Sequence, residues 1–154
     1  MRKAFALFFI AMVPVAMTWA ADTGTPTFAE CPVAVSPPAR RAPVDLATAE
    51  SRAYASQLRR AAKGPVNFAG HYVLATWGCG AGCVTGGAID ARSGSVTLLP
   101  FTVSDWPLDV TEPLAFRKNS CILVVQGSRN EAGGGTHFYA FRQGEFQWLK
   151  SLPR

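Results

Sequence analysis

The sequence predicts a mainly β domain with one N-terminal helix, and three observations support that fold class. Short apolar runs separated by glycine-containing turns fill residues 66–150. Only residues 45–63 place apolar side chains at helical spacing. The strand half of the chain also resembles itself after a shift of 50 residues. We therefore expect an α+β fold in which two similar three-strand antiparallel units form a sandwich or a partly open barrel.

Residues 1–20 have the composition of a signal peptide. Arg2 and Lys3 form a basic start, an apolar run follows, and Ala20 ends a small-x-small cleavage site. The apolar run is shorter than the roughly 20 residues that a membrane-spanning helix needs. We predict cleavage after Ala20, a periplasmic or secreted location, and no transmembrane segment after cleavage. An uncleaved N-terminal anchor is the alternative.

The next two segments differ in composition. Residues 21–44 contain five prolines and predict an extended, poorly ordered lead-in. Residues 45–63 predict one amphipathic helix, capped by Asp45 or Thr48 and ended by Lys63-Gly64-Pro65. Residues 45–154 are thus expected to form a single helix-plus-β domain.

The two predicted β units each read strand, long glycine loop, strand, tight turn, strand. The loops fall at residues 78–85 and 128–136, and the 50-residue shift places the tight turn Arg92-Ser93-Gly94 on Arg142-Gln143-Gly144. Two units are too few to close a propeller, which needs about four or more.

Charge excludes one class of partner. Removing Arg2 and Lys3 lowers the formal net charge from +5 to +3, and the remaining cations are scattered. Nucleic-acid binders concentrate such charge on one face, so we expect no nucleic-acid partner. A mildly basic surface favours an anionic envelope component only weakly, and an ordinary solvated surface explains it as well.

Four cysteines remain after cleavage, and an even number in an exported chain indicates disulfides. Cys79 and Cys83 flank a flexible Gly-Ala-Gly spacer, which leaves Cys31 to pair with Cys121. A redox pair with two intervening residues or a zinc site with two close pairs fits this spacing less well. The sequence therefore predicts neither a metal nor a cofactor.

Residues 67–72 read N-F-A-G-H-Y, and the chain continues with W-G-C-G at 77–80 and a second cysteine, Cys83. With the I-D-A-x-x-G stretch at 89–94, this resembles a family of small exported bacterial proteins of unsettled function. The resemblance covers about residues 53–150 and implies export and domain boundaries. Cys31 and Cys121 lie outside the shared motif.

His71 and Asp90 are the weak catalytic candidates. The two-unit pattern places them side by side at one end of a hairpin, where a His–Asp pair suits general-base chemistry. A histidine held by the backbone or by Asp90 is the structural alternative. Ser128 and His137 are expected at the opposite end, about 20 Å away.

The two long loops are the predicted binding surface, because recognition residues concentrate in loops on a rigid scaffold. The expected contact residues are Gly80, Ala81, Gly82, Arg129, Asn130, Glu131 and His137. The sequence favours a non-enzymatic, inhibitor-like or immunity-like module whose partner is an unknown envelope protein or an anionic envelope component. The alternative is an envelope hydrolase that uses His71 and Asp90.

Overall fold

The computed structural model describes residues 24–154, so the predicted signal peptide lies outside the described residues. The chain is mainly β, as predicted. The helices are α1 (Ala49–Ala53) and α2 (Ala55–Ala61), after a single 3-10 turn at Phe28–Glu30. The strands are β1 (Tyr72–Gly80), β2 (Cys83–Asp90), β3 (Val96–Leu98), β4 (Val103–Ser104), β5 (Leu114–Phe116), β6 (Ile122–Arg129), β7 (Ala132–Arg142) and β8 (Glu145–Pro153).

The single predicted helix is two short helices. Thr48 caps α1, because its hydroxyl accepts a hydrogen bond from the Ser51 N–H at 3.0 Å. The break falls at Tyr54, where φ is −106° and ψ is 21°. The Tyr54 ring stacks on Trp77 of β1 at 4.9 Å between ring centroids. Tertiary packing of this aromatic pair therefore accompanies the break, a feature that helical spacing does not encode.

All eight strands belong to one antiparallel sheet. Its order is β1-β2-β4-β6-β7-β8, with β3 added to β2 and β5 added to β6. The two predicted three-strand units are present as β1-β2-β3 and β6-β7-β8, and the short strand β4 joins them by pairing with both β2 and β6.

The sheet curves strongly. Tyr72 on β1 and Phe141 on β7 are four strand steps apart, about 19 Å in a flat sheet. Their ring centroids are nevertheless 4.8 Å apart. Phe68 is fully buried between the units and contacts the rings of Phe116, Phe141 and Phe146. One core therefore serves both units.

The predicted long loops are mostly strand, which corrects the sequence interpretation. β1 and β2 extend to a tip at Gly80–Cys83, and β6 and β7 extend to a second tip whose turn residues are Asn130 and Glu131. The glycines of residues 78–85 and 128–136 led to the prediction of loops. Inside strands, however, glycine permits close approach of neighbouring backbone.

The proline-rich segment is extended but not loose. Residues 24–44, here called the strap, cross the sheet end opposite the two tips. The backbone N–H groups of Val33, Ser36 and Ala42 donate to Asn119, Gly70 and Ala91. Gly70 and Gly94 have φ of +84° and +83°, and a Cβ on either would collide with the strap backbone. The glycines of the N-F-A-G-H-Y and I-D-A-x-x-G stretches thus have a packing reason.

Candidate functional site

The two hairpin tips flank a groove of about 660 Å³, here called the tip groove. This volume falls in the range of ligand-binding clefts. The third wall is the segment that follows β4, residues 105–108. The groove is lined by Ala81, Gly82, Cys83, Thr102, Ser104, Asp105, Trp106, Leu108 and Glu131. Of the predicted contact residues, the groove therefore brings together Ala81, Gly82 and Glu131.

A disulfide closes the first tip. Cys79 bonds to Cys83, and the strand pairing shifts between Gly78 and Gly80, so Cys79 occupies a bulge. The second disulfide, Cys31–Cys121, attaches the strap at the other end. Both are the pairs expected from the sequence.

The second tip is fixed by Asn130. Its side-chain Oδ1 accepts a hydrogen bond from the Thr102 N–H at 3.0 Å, and its own N–H donates to the Thr102 carbonyl at 3.0 Å. Asn130 and Glu131 both have positive φ, +51° and +65°. Asn130 therefore holds the turn, and Glu131 next to it lines the groove.

The third wall supplies aromatic and aliphatic surface. Trp106 packs partly against the main core, whereas Leu108 is completely exposed. Asp105 has φ of +51°, and its carbonyl accepts a hydrogen bond from the Arg154 guanidinium. The C-terminal residue thus helps to fix this segment.

The groove carries two negative charges, Asp105 and Glu131. Within residues 24–154, no Lys or Arg side chain lies within ion-pair distance of either carboxylate. The two carboxylates therefore remain free to pair with a cation of a partner, although Arg154 lies beside Asp105 through its hydrogen bond to the Asp105 carbonyl.

Arg129, a predicted contact residue, has an internal role. Its Nη1 donates to the Tyr139 hydroxyl at 2.5 Å, and its guanidinium lies 5.9 Å from that ring centroid. The side chain is half-buried. Arg129 therefore contacts Tyr139 on the neighbouring strand β7, and its role in binding a partner stays a prediction.

His137, also expected in the binding loops, is buried in the middle of β7 with 2% exposure. Its Nε2 is 3.0 Å from the Gly127 carbonyl, which only accepts, so Nε2 carries the proton. Nδ1 then accepts from the Ser151 hydroxyl at 2.8 Å, and Ser151 accepts from the Trp148 indole N–H. Burial lowers the pKa of His137, although the Gly127 hydrogen bond opposes that shift.

His71 and Asp90 lie together at the strap end, far from the tip groove. The His71 Nε2 is 3.7 Å from Asp90 Oδ2, longer than a hydrogen bond, and His71 is 23% exposed. Asp90 Oδ1 accepts from the Arg92 N–H at 2.8 Å, which stabilises the β2–β3 turn. Burial lowers the pKa of His71, and the Asp90 charge partly offsets this.

Sequence reasoning missed the third wall. Trp106 was recognisable as a loop aromatic before proline, and Asp105 as an acidic loop residue. Nothing in their spacing indicates that they line one groove with Glu131, since that arrangement depends on β4 pairing with both hairpins.

Three broader findings complete the description. Among residues 24–154, no helix is long and apolar enough to cross a membrane. The same part of the chain holds no group of three or more His, Cys, Asp or Glu residues suited to a metal ion. A scan against protein-family models, a search of curated proteins and a search of solved structures each found no match.

Proposed function

We propose that this protein is a non-enzymatic binding module of the bacterial envelope whose tip groove receives a basic, partly apolar segment of a partner protein. An inhibitor-like or immunity-like role fits this form of recognition. The observation that carries the proposal is the groove itself, with two carboxylates that form no ion pair with any Lys or Arg among the described residues.

Rigid walls support binding. The Cys79–Cys83 bond constrains one tip, and the reciprocal Asn130–Thr102 hydrogen bonds constrain the other. A preorganised surface loses less conformational entropy on association, so more of the contact energy appears as affinity.

The side chains of the groove favour a protein segment over a small anion. Trp106 and exposed Leu108 offer apolar anchors of the kind that dominate protein interfaces. Asp105 and Glu131 select a Lys or Arg beside them. The positive net charge of the chain does not prevent this, because strands of eight to eleven residues separate the groove from the strap end. That separation, about 25–35 Å, exceeds the screening length of about 8 Å at physiological salt.

The disulfides and the N-terminal sequence support the envelope location of the proposed module. Two disulfides indicate an oxidising, extracytoplasmic location. Together with the signal-peptide composition of residues 1–20, this favours the periplasm or secretion.

The competing proposal is an envelope hydrolase that uses His71 as general base with Asp90. The 3.7 Å contact favours it. The engagement of Asp90 with the β2–β3 turn favours a structural pair instead. Loss of a cell-wall hydrolytic activity in His71→Gln, with partner binding unchanged, would establish the enzyme.

The binding proposal is tested by titrating the protein with a lysine/leucine decapeptide and following backbone amide shifts at both tips. The Asp105→Asn/Glu131→Gln variant should bind at least tenfold more weakly. Glu50→Gln/Glu145→Gln, which removes the same charge elsewhere, should bind like the wild type. Equal binding by the groove variant, or equal binding of a glutamate/leucine peptide, would overturn the assignment.

A further inference from the structure

A second charged surface lies at the strap end and is unrelated to the tip groove. A groove of about 540 Å³ runs along residues 65–67 and 116–119. Pro65, Val66 and Phe116 form its apolar part, and Arg117 and Lys118 are exposed on its rim. Exposed Lys63 lies two residues before Pro65.

Backbone contacts extend this surface toward Arg92. The Gly70 N–H donates to the Lys118 carbonyl at 2.7 Å, and the Ser36 N–H donates to the Gly70 carbonyl at 2.9 Å. Arg92 Nη2 in turn donates to Ser36 Oγ at 3.0 Å. We call Lys63, Arg92, Arg117 and Lys118 the strap-end basic surface.

The positive charge of this surface is not neutralised. Within residues 24–154, none of the four side chains lies within ion-pair distance of an Asp or Glu. The nearby Asp90 is already engaged with the Arg92 N–H and with His71. The Arg117 guanidinium lies 4.5 Å from the Phe28 ring centroid, a contact that leaves its charge intact.

Apolar side chains accompany the cations. Val35 on the strap, next to Ser36, is 42% exposed. Within the groove, exposed Pro65 and partly exposed Phe116 lie beside Arg117 and Lys118, which gives the surface an amphipathic character. Cations beside exposed apolar groups suit the headgroup region of a bilayer better than a fully polar polyanion.

We propose that the strap-end basic surface binds an anionic phospholipid bilayer. The tip groove lies at the other ends of β1, β2, β6 and β7, so a membrane-bound molecule presents that groove away from the lipid. The orientation leaves the partner site accessible while the protein remains at the membrane surface.

The test is vesicle co-sedimentation of the processed protein purified from the envelope. Vesicles contain phosphatidylglycerol with phosphatidylcholine, or phosphatidylcholine alone. Only the anionic vesicles should bind the wild type. Removing one cation should lower the partition coefficient about fivefold, so Arg117→Gln/Lys118→Gln should lower it about 25-fold.

The matched control is Arg59→Gln/Arg60→Gln, which removes the same charge from exposed positions of α2 and should bind within about twofold of the wild type. An equal loss in this control, equal binding to neutral vesicles, or tighter binding to a DNA duplex than to anionic vesicles would overturn the proposal. Unchanged thermal midpoints of both variants would show that they are folded.

Discussion

Glu131 is the residue where local geometry and proposed recognition conflict. Its φ of +65° belongs to the left-handed region, which costs a non-glycine residue about 1 kcal/mol or more. Glycine would fit this turn position better, yet the chain has a carboxylate that lines the tip groove. The proposed binding role accounts for that choice.

We therefore expect Glu131→Gly to raise the free energy of unfolding by about 1 kcal/mol, because it relieves the backbone strain. The same variant should bind the decapeptide more weakly, because it removes the carboxylate. Urea denaturation and the amide titration measure the two effects. Glu131→Gln is the matched control, because it retains the strain and loses only the charge. Glu131→Gly with wild-type affinity would contradict the role of the carboxylate.

His137 makes stability depend on pH. Its pKa in the folded protein lies below the ordinary value of 6.5, chiefly because the ring is buried. Below pH 6.5 the His137 ring therefore binds a proton more readily in the unfolded chain than in the folded chain. The free energy of unfolding should therefore be highest above pH 6.5 and decrease as the pH falls below it.

Urea denaturation of wild type and His137→Gln at pH 7.5 and 5.0 measures this contribution. The difference in stability between the two pH values should be smaller in the variant. His71→Gln is the comparison, because burial lowers the pKa of that histidine as well and it is more exposed. An unchanged pH difference in His137→Gln would show that the buried ring is not responsible.

Among the elements, the two disulfides constrain different parts of the molecule. The Cys31–Cys121 bond attaches the strap and joins cysteines that are 90 positions apart in the sequence. The Cys79–Cys83 bond joins cysteines that are only 4 positions apart, at the first tip. Loop-closure entropy gives about 4.5 kcal/mol for the long loop and about 2 kcal/mol for the short one.

We expect Cys31→Ala/Cys121→Ala to lower the free energy of unfolding more than Cys79→Ser/Cys83→Ala. The second variant should instead lose decapeptide binding while remaining folded, because it loosens one wall of the tip groove. Denaturation curves and the amide titration distinguish the two outcomes. Greater destabilisation on removing the short bond would contradict this division of roles.

At the scale of the whole molecule, the shared core predicts that the two strand units unfold together. Phe68 contacts aromatic rings of β5, β7 and β8 while belonging to the segment before β1. Trp77 reports on the first unit and Trp148 on the second.

Variants that keep only Trp77 or only Trp148, with phenylalanine at the other tryptophans, should show coincident fluorescence transitions in urea. Phe68→Ala should lower the free energy of unfolding by about 3–5 kcal/mol, and both fluorescence transitions should move to lower urea concentration by the same amount. Separate midpoints in either background would mean that the units are independent.

The sequence by itself determined the mainly β class, the two three-strand units and the disulfide pairing. These follow from short-range patterns: alternating apolar runs, tight-turn residues and cysteine arithmetic. Glycines inside strands gave the wrong reading at residues 78–85 and 128–136, because the same residue serves loops and closely packed strands.

Only the tertiary structure decided which side chains line the candidate site. Arg129 and His137 look like loop recognition residues in the sequence, yet one lies on Tyr139 and the other is buried. Asp105 and Glu131 line one groove because β4 pairs with both hairpins, which are far apart in the chain. Local pattern carries no information about such long-range pairing, so the sequence predicted the fold class and the Ala81, Gly82 and Glu131 part of the groove but not the segment 105–108.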